Sequence, residues 1–352
     1  MVGMVIAMMT VLSMTQVFAL FEGNKRTTTS GADAQDNGVA ALATIERDVR
    51  MAGYGLVNST VLGGGGCNEI QWFYNGAAQS PISAAPVTII DGGGGLSDTL
   101  TATYGNGMAG LSPATLTANM PQPSAELDVD LAVAFNPNDL FVVAQGGVCV
   151  MMQATTVQVT PGKLQHNPGG STLYNPSAAQ IPASWPAFTQ GAQVFDLGQI
   201  TSRSYSSVSA NLQVAEVPGL TATPLVSNIV NIQAQYGLAP TGSNVVNCWV
   251  NATGAGSNAC DGSDWSSTAA ATNITAVNAA RIKAIRIAVV ARSNLPEKPS
   301  VTGGACDATT QALTSWVGGP TIDLSADPNW RCYRYKVFQT IVPLRNVIWA
   351  NL

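Results

Sequence analysis

The first 21 residues contain no charged side chain, and they constrain the fold more than any other stretch. They read MVGMVIAMMTVLSMTQVFALF, and the first ionisable residue is Glu22. As an α-helix rising about 1.5 Å per residue, this run is about 30 Å long, enough to cross the hydrocarbon core of a bilayer. A core helix of a water-soluble protein rarely stays apolar on every face for that length. The run therefore predicts a transmembrane helix over residues 1–21.

The helical pattern resumes after a short polar patch and becomes amphipathic over residues 36–54. Apolar side chains recur there at three- and four-residue steps, at Val39, Leu42, Ile45 and Val49. Charged side chains fall on the other faces, at Glu46, Arg47, Asp48 and Arg50. This spacing places the four apolar residues on one helical face. We predict one long helix over residues 1–54, whose second half packs that face against a sheet.

A cleaved signal peptide is the alternative for the opening run. Signal peptides combine a basic start, an apolar core of about 7–15 residues and a small-residue cleavage site. Here the apolar run is longer, no Lys or Arg precedes it, and no clear A-x-A box ends it. These differences favour a retained helix.

Residues 55–352 differ from the helix and predict a β-rich globular domain outside the cytoplasm. Short runs of alternating or β-branched residues are separated by turn residues, as in VTII (87–90), TLTATY (99–104) and RIKAIRIAVVARS (281–293). SNIVNIQAQYGL (227–238) is expected to begin as a short helix and finish as a strand. The stretches 160–192 and 239–271 are expected to be long loops. The fold class is α+β, with a helix followed by an antiparallel sheet.

The six cysteines predict disulfides and an extracytoplasmic location. None forms a C-x-x-C pair and the chain has one histidine, so a zinc site is disfavoured. Six cysteines allow 15 pairings. Sequence neighbours suggest Cys248–Cys260 and Cys306–Cys332, which leaves Cys67–Cys149. The sequence alone leaves the other pairings open.

No motif in the sequence indicates an enzyme, and no cofactor or metal is expected. The chain lacks a G-x-S-x-G elbow, and its GGGG runs are not followed by the Lys-Ser/Thr of a P-loop. His166 is expected to be a solvated loop residue. Acidic loops such as DGGGGLSD (91–98) lack EF-hand spacing and are interpreted as turns. A net charge of −5 argues against nucleic acid as the primary partner.

Four segments resemble the PilW family of type IV pilus minor pilins. They are ALATIERDVRMAGYG (40–54), NIVNIQAQYG (228–237), AIRIAVVARS (284–293) and WRCYRYKVFQTIVPLRNVIW (330–349). The resemblance implies a type IV pilin-like fold and a structural role. It implies a minor pilin that initiates assembly and sits at or near the filament tip, serving motility, adhesion or DNA uptake.

The resemblance also implies partners and locations. These are other minor pilins, the major pilin, the inner-membrane assembly platform and, as a further candidate, a tip adhesin. The protein would span the inner membrane once, with its C-terminal domain in the periplasm, and then join a pilus at the cell surface. The apolar helix would enter the filament core through Gly3, Ala7, Val11, Phe18 and Phe21. Gly3 and Ala7, four residues apart, would permit close helix approach.

Two alternatives stay open from the sequence. One is a minor pseudopilin of a type II secretion system, and the other is a membrane-anchored ligand-binding module. Pilin precursors resemble one another in a basic leader and cleavage motif that the printed sequence lacks. MVGMVIAMM resembles the residues that directly follow that motif, so we expect Met1 to be an internal methionine.

Overall fold

The computed structural model of the protein describes most of the chain. The described residues are 2–56, 67–83, 85–107, 113–120, 126–168, 172–176, 186–217, 219, 221–256, 260–268, 271–299 and 303–350. The architecture is α+β, as the sequence predicted, with one long N-terminal helix followed by antiparallel strands. The helices are α1 (Val2–Met51), α2 (Ala276–Ala279) and α3 (Arg345–Trp349).

Twenty strands lie within the described residues. In chain order they are β1 (Glu69–Ile70), β2 (Phe73–Tyr74), β3 (Ala77–Ala78), β4 (Ile82–Ser83), β5 (Val87–Ile90), β6 (Thr99–Tyr104), β7 (Ala114–Thr115), β8 (Leu127–Asp128), β9 (Leu140–Gln145), β10 (Val148–Gln153), β11 (Thr156–Gln158), β12 (Lys163–Gln165), β13 (Gln193–Gly198), β14 (Thr201–Val208), β15 (Asn211–Glu216), β16 (Thr223–Ser227), β17 (Ile229–Leu238), β18 (Cys248–Val250), β19 (Ile282–Arg292) and β20 (Tyr335–Pro343).

These strands form four sheets and two small ribbons within the described residues. Sheet I has the order β18-β17-β19-β20, sheet II β16-β15-β14-β6-β5, sheet III β10-β9-β13-β7 and sheet IV β11-β12-β8. The ribbons are β1-β4 and β2-β3. Every strand pair in them is antiparallel.

The main core lies between α1 and the inner faces of sheets I and II. Alternation along β19 turns Ile285, Ile287 and Val289 toward α1, and all three are fully buried. Leu100 and Ala102 of β6 contribute from sheet II. The Tyr236 hydroxyl of sheet I accepts a hydrogen bond of 2.6 Å from the Ile89 amide of sheet II, so the two sheets are joined inside this core.

Sheet III is buried on both faces. Phe141, Val143 and Met152 face one apolar cluster, which includes residues of sheet IV, while Val142 and Met151 face another. The period-2 alternation of a strand is therefore hidden in β9 and β10, because both faces are apolar. This explains why DLFVVA and VCVMMQ read as continuous apolar runs.

The three disulfides join the pairs suggested by the sequence, namely Cys67–Cys149, Cys248–Cys260 and Cys306–Cys332. The second lies in the segment 239–271, which was expected to be a loop and contains β18. β12 likewise lies inside the expected loop 160–192. Each of these two strands has only three residues, and strands this short are hard to distinguish from loops by composition.

Two element predictions were wrong. The helical start expected at 227–238 is absent, because β17 begins at Ile229 and pairs with β19 along its length, with two register shifts. The alternating run LDVDLAVAF (127–135) predicts a strand with Leu127, Val129, Leu131 and Val133 on one buried face. In the structure that strand ends at Asp128, and a 3-10 turn follows at Ala132–Ala134. Val133 is consequently exposed, although alternation placed it on the buried face with Leu127.

Candidate functional site

The first half of α1 projects apolar side chains that nothing else in the described structure covers. Every side chain described between residues 3 and 29 is exposed. The large apolar ones are Met4, Val5, Ile6, Met8, Met9, Val11, Leu12, Met14, Val17, Phe18 and Phe21, with exposed fractions from 50% to 81%. We call residues 2–29 the free half of α1. A contiguous apolar surface of this kind marks an interaction site.

The filament-core residues expected from the sequence all lie on the free half. Val11, Phe18 and Phe21 are 60%, 74% and 69% exposed, and Gly3 and Ala7 are exposed too. A Cβ added at Gly3 would have no neighbouring atom within 4 Å. Their role toward another molecule stays a prediction, because a single chain offers them no partner.

Burial begins at Ser30 and then recurs with helical spacing. The buried positions are Ser30, Ala34, Gly38, Ala41, Ile45, Asp48, Val49 and Ala52. Steps of three and four residues keep them on one face of α1. We call residues 30–51 the packed half of α1. It starts six residues before the amphipathic half inferred from the sequence, because small residues occupy its first buried positions.

Two of the four predicted packing residues are fully buried and one is not buried at all. Ile45 and Val49 have no exposed surface, and Leu42 packs partly buried against the same core. Val39 is 52% exposed, so its predicted place on this face was wrong. Gly38 takes that place, because the Phe338 ring of β20 lies where a side chain at 38 would be.

Asp48 is the centre of a buried polar cluster that fixes α1 to sheet II. Its carboxylate accepts hydrogen bonds from the Tyr205 hydroxyl at 2.6 Å and the Tyr104 hydroxyl at 3.2 Å. Arg203 forms an ion pair with it at 3.3 Å, and Arg47 a longer one at 3.4 Å. Asp48 has no exposed surface, although the sequence placed it on the polar face. A buried carboxylate is tolerated when it is paired and hydrogen-bonded in this way.

The cluster raises the pKa values of both tyrosines, Tyr205 and Tyr104. Burial, followed by the hydrogen bond to Asp48 and its negative charge, raises the pKa of Tyr205. Burial and the charge of Asp48 also raise the pKa of Tyr104, with Arg203 opposing. Both hydroxyls therefore stay protonated and remain hydrogen-bond donors to Asp48 across the physiological pH range.

The carboxyl end of α1 is bound to the domain through its backbone. The Asn346 side-chain amide donates to the Met51 and Ala52 carbonyls, each at 3.1 Å. The Gly53 amide donates to the Thr103 carbonyl of β6 at 2.8 Å. Gly53 has a φ of +82°, which glycine adopts without a steric penalty. Free carbonyls at the helix end are thus satisfied by the domain.

In the part of the chain that the structure describes, no helix is both long enough and apolar enough to cross a membrane. The transmembrane helix predicted over residues 1–21 therefore lacks support from the structure.

The other candidate sites have structural roles. Asp98 of the acidic loop 91–98 accepts hydrogen bonds from the Gly92 and Ala234 amides, at 3.0 and 2.8 Å. Burial raises the pKa of Asp98 to about 7. His166 was expected in solvent and is instead 4% exposed, with its ring 6.5 Å from that of Phe141. Within the described residues, no group of three or more His, Cys, Asp or Glu could hold a metal ion.

The basic residues near the C-terminus are engaged within the domain. Arg281 pairs with Asp261 and lies over Trp265, and Arg334 pairs with Glu297. Arg286 lies between the rings of Trp249 and Trp316, at 4.4 and 5.3 Å from their centroids.

Comparison with known families identifies the C-terminal part of the chain. Residues 208–346 match the family model described as Type IV Pilus-assembly protein W, or PilW. This stretch is PilW-like. The match confirms the resemblance noted in the sequence for the segments that lie within residues 208–346.

The PilW match covers sheet I entirely and ends within α3. It thus contains β19 and β20, the strands on which the packed half of α1 lies, while α1 itself falls outside it. Among solved structures, a Type IV-like pilin from Thermus thermophilus aligns over 89% of this chain and 96% of its own, with 8% identity and a TM-score of 0.33. No curated protein matches the sequence significantly.

Proposed function

We propose that the protein is a pilin-like subunit of a type IV pilus that packs into the filament through the free half of α1. The observation that carries the proposal is the free half itself. It extends about 42 Å at 1.5 Å per residue and presents large apolar side chains without an intramolecular partner. The PilW match on the strands that anchor the same helix supports a pilus rather than another partner.

The mechanism follows from the two halves of α1. Neighbouring subunits bury the free half. Removing its apolar side chains from water would stabilise the filament by about 25 cal/mol per Å², whereas a subunit that starts in the membrane exchanges lipid contacts for protein contacts at modest net cost. Small residues such as Gly3 and Ala7 allow helices to approach closely. The packed half attaches the globular domain to the filament helix in one orientation, since Asp48 and the buried apolar face fix α1 on sheets I and II.

A place at or near the tip, as a minor pilin that initiates assembly, is our finer proposal. The part of the chain that follows α1 is large, with twenty strands among its described residues. Such bulk is easier to place at a filament end than in a repeating shaft. The proposed partners are other minor pilins, the major pilin and the inner-membrane assembly platform. A stage in the inner membrane before assembly remains a prediction, which fractionation of a strain lacking the assembly machinery would test.

A matched pair of valine variants tests the filament role. Val11 and Val245 are 60% and 71% exposed, so neither V11D nor V245D should change the free energy of unfolding by more than about 0.5 kcal/mol. In a deletion strain complemented with each variant, V11D should abolish surface pili and co-purification with other pilins, while V245D should preserve both. V11L should restore assembly.

Normal piliation with V11D would refute packing through the free half. Loss of exoprotein secretion with intact pili on deletion would favour the pseudopilin alternative.

A further inference from the structure

The outer face of sheet II forms the floor of an open cleft on the side away from α1. Alternation along β6 sends Leu100 and Ala102 into the core and leaves Thr101 and Thr103 on the opposite face. The cleft has a volume of about 430 Å³. This lies within the range of roughly 300–1,000 Å³ that is typical of small-molecule sites. We call it the hydroxyl cleft.

The floor carries hydroxyl groups in rows across the strands. Thr88, Thr101 and Ser204 are register partners on β5, β6 and β14, and Ala215 of β15 continues the row. At about 4.8 Å between strands, three hydroxyl-bearing residues span about 10 Å. A parallel row contains Thr103 and Ser202.

Hydrogen bonds hold these hydroxyls in place before any ligand arrives. Thr101 donates to Ser204 at 3.0 Å, and the Thr103 and Ser202 hydroxyls are 2.9 Å apart. A hydroxyl donates one hydrogen bond and can accept two. The Thr101–Ser204 pair is partly exposed and therefore retains acceptor capacity toward a ligand, whereas Thr103 and Ser202 are buried beneath the floor, at 4% and 3% exposed.

Two walls flank the floor, and each is held by hydrogen bonds within the protein. On one side the Trp72 indole N–H donates to the Ser80 carbonyl at 2.8 Å, and the ring is buried in the wall beside Tyr174. On the other side the Ser267 and Thr272 hydroxyls lie 2.9 Å apart. The Asn68 side chain accepts a hydrogen bond from the Ala276 amide at 2.7 Å, which joins the segments that bear the two walls.

The lining is rich in hydroxyls and almost free of charge. Of the twenty described residues that line the cleft, eleven are Ser or Thr, and Glu69 alone is ionisable. The remaining lining is mostly apolar and includes Ile82, Ile90 and Val217. These residues include no cation, so the cleft offers no positive charge to a phosphate, sulfate or carboxylate, and the charge of Glu69 disfavours anions. Neutral hydroxyls beside methyl groups match a ligand with hydroxyl groups and apolar C–H faces.

An extended peptide fits this site less well. Peptides that join a sheet pair with the main chain of an edge strand. Here the floor is a sheet face, and β6 and β14 each have strand partners on both sides. What the floor offers is side-chain hydroxyls.

We propose that the hydroxyl cleft binds a short segment of a neutral glycan. The Thr88–Thr101–Ser204 row exchanges hydrogen bonds with sugar hydroxyls, and the partly exposed Ile90 and Val217 side chains contact the apolar face of a sugar ring. The proposal does not depend on the filament role of α1, because the cleft and the helix lie on opposite faces of sheet II.

The test uses the full-length chain in a sugar-free zwitterionic detergent, since glycoside detergents would compete. It is applied to an array of malto-, cello-, chito- and galacto-oligosaccharides together with sulfated and sialylated members. Binding to at least one neutral class, in preference to the anionic ones, is expected. Titration calorimetry with that oligosaccharide then gives the Kd.

Two variants and a control locate the site. A215W fills the cleft and should abolish binding. The double variant T101V/S204A removes both partners of one hydroxyl pair without leaving either unsatisfied, and it should weaken binding about tenfold or more. T156V makes a matched change at an exposed position of β11 in sheet IV and should leave the Kd unchanged.

Circular dichroism melts of each variant show that folding is retained. The proposal is overturned if no neutral oligosaccharide binds, if anionic glycans or peptides bind better, or if both cleft variants bind like the wild type.

Discussion

The free and packed halves of α1 share one continuous backbone and differ in what their side chains meet. Large apolar residues dominate the free half, and the structure leaves them exposed. The packed half has fewer of them, and its buried face relies on Ala34, Gly38 and Ala41 as much as on Ile45 and Val49. Hydrophobicity alone therefore does not tell which half is in the core. Proximity to a surface of complementary shape decides it.

The packed half also sustains the free half as a helix. An isolated helix gains little from propensity alone, because nucleation is costly and packing supplies most helical stability. Here the nucleus is provided by residues 30–51, and the free half extends from it. An interaction segment can thus be held in shape by a domain that it does not contact.

The strongest test of this contrast changes the same residue type in each half. Ile45 is fully buried, whereas Ile6 is 58% exposed. I45A should lower the free energy of unfolding by about 2–5 kcal/mol, since it removes apolar contacts and leaves a cavity. I6A should change it by less than about 0.5 kcal/mol. Guanidinium unfolding of the full-length protein in detergent measures both; equal effects would mean that the halves are not energetically distinct.

The next test concerns the buried charge. D48A should lower the free energy of unfolding by about 3 kcal/mol, because it leaves the Tyr205 hydroxyl and part of the Arg203 charge without their partner. R47A is the control at the adjacent position. The Arg47 side chain is 69% exposed, so R47A should lower the free energy of unfolding by less than about 0.5 kcal/mol. If D48A unfolds at the denaturant concentration of the wild type, the cluster does not fix α1 to sheet II.

The test with the smallest expected effect compares substitutions at two glycines of α1. A Cβ at Gly38 would collide with the Phe338 ring, while one at Gly31 has no atom within 4 Å. G38A should therefore destabilise the protein by about 1–2 kcal/mol, the cost of overpacking less the gain in helix propensity. G31A should stabilise it by up to about 1 kcal/mol. Replacing Phe338 with a smaller residue, as in G38A/F338L, should restore part of the stability that G38A loses. Thermal melts of the three proteins measure this.

Much of the element order was readable from the sequence. β5 and β6 have the bounds of their alternating runs, and β19 deviates from its Ile- and Val-rich run by one residue at each end. These segments have a strong local pattern, because one or both faces are apolar throughout. The pairings Cys248–Cys260 and Cys306–Cys332 followed from sequence proximity, since the cysteines are 12 and 26 residues apart. Cys67–Cys149, separated by 82 residues, followed only by elimination.

The errors arose where a partner element, and not the local pattern, sets the environment. Val39 is the more hydrophobic residue, yet Gly38 faces the sheet because the Phe338 ring needs the space. Asp48 looks like a surface charge, yet Tyr104, Arg203 and Tyr205 surround it from strands 56 to 157 residues away. His166 follows the same rule, since it is buried beside Phe141 despite its polar neighbours.

The sequence by itself determined that this chain begins with a long helix whose first 21 residues are uncharged, and that disulfide-linked strands follow. These features depend on local periodicity and cysteine content. The tertiary structure decided which helical face is buried, that Asp48 is the polar anchor, and that the outer hydroxyls of sheet II form one cleft. Each of these depends on residues brought together from distant parts of the chain, and local sequence does not encode which distant residues will meet.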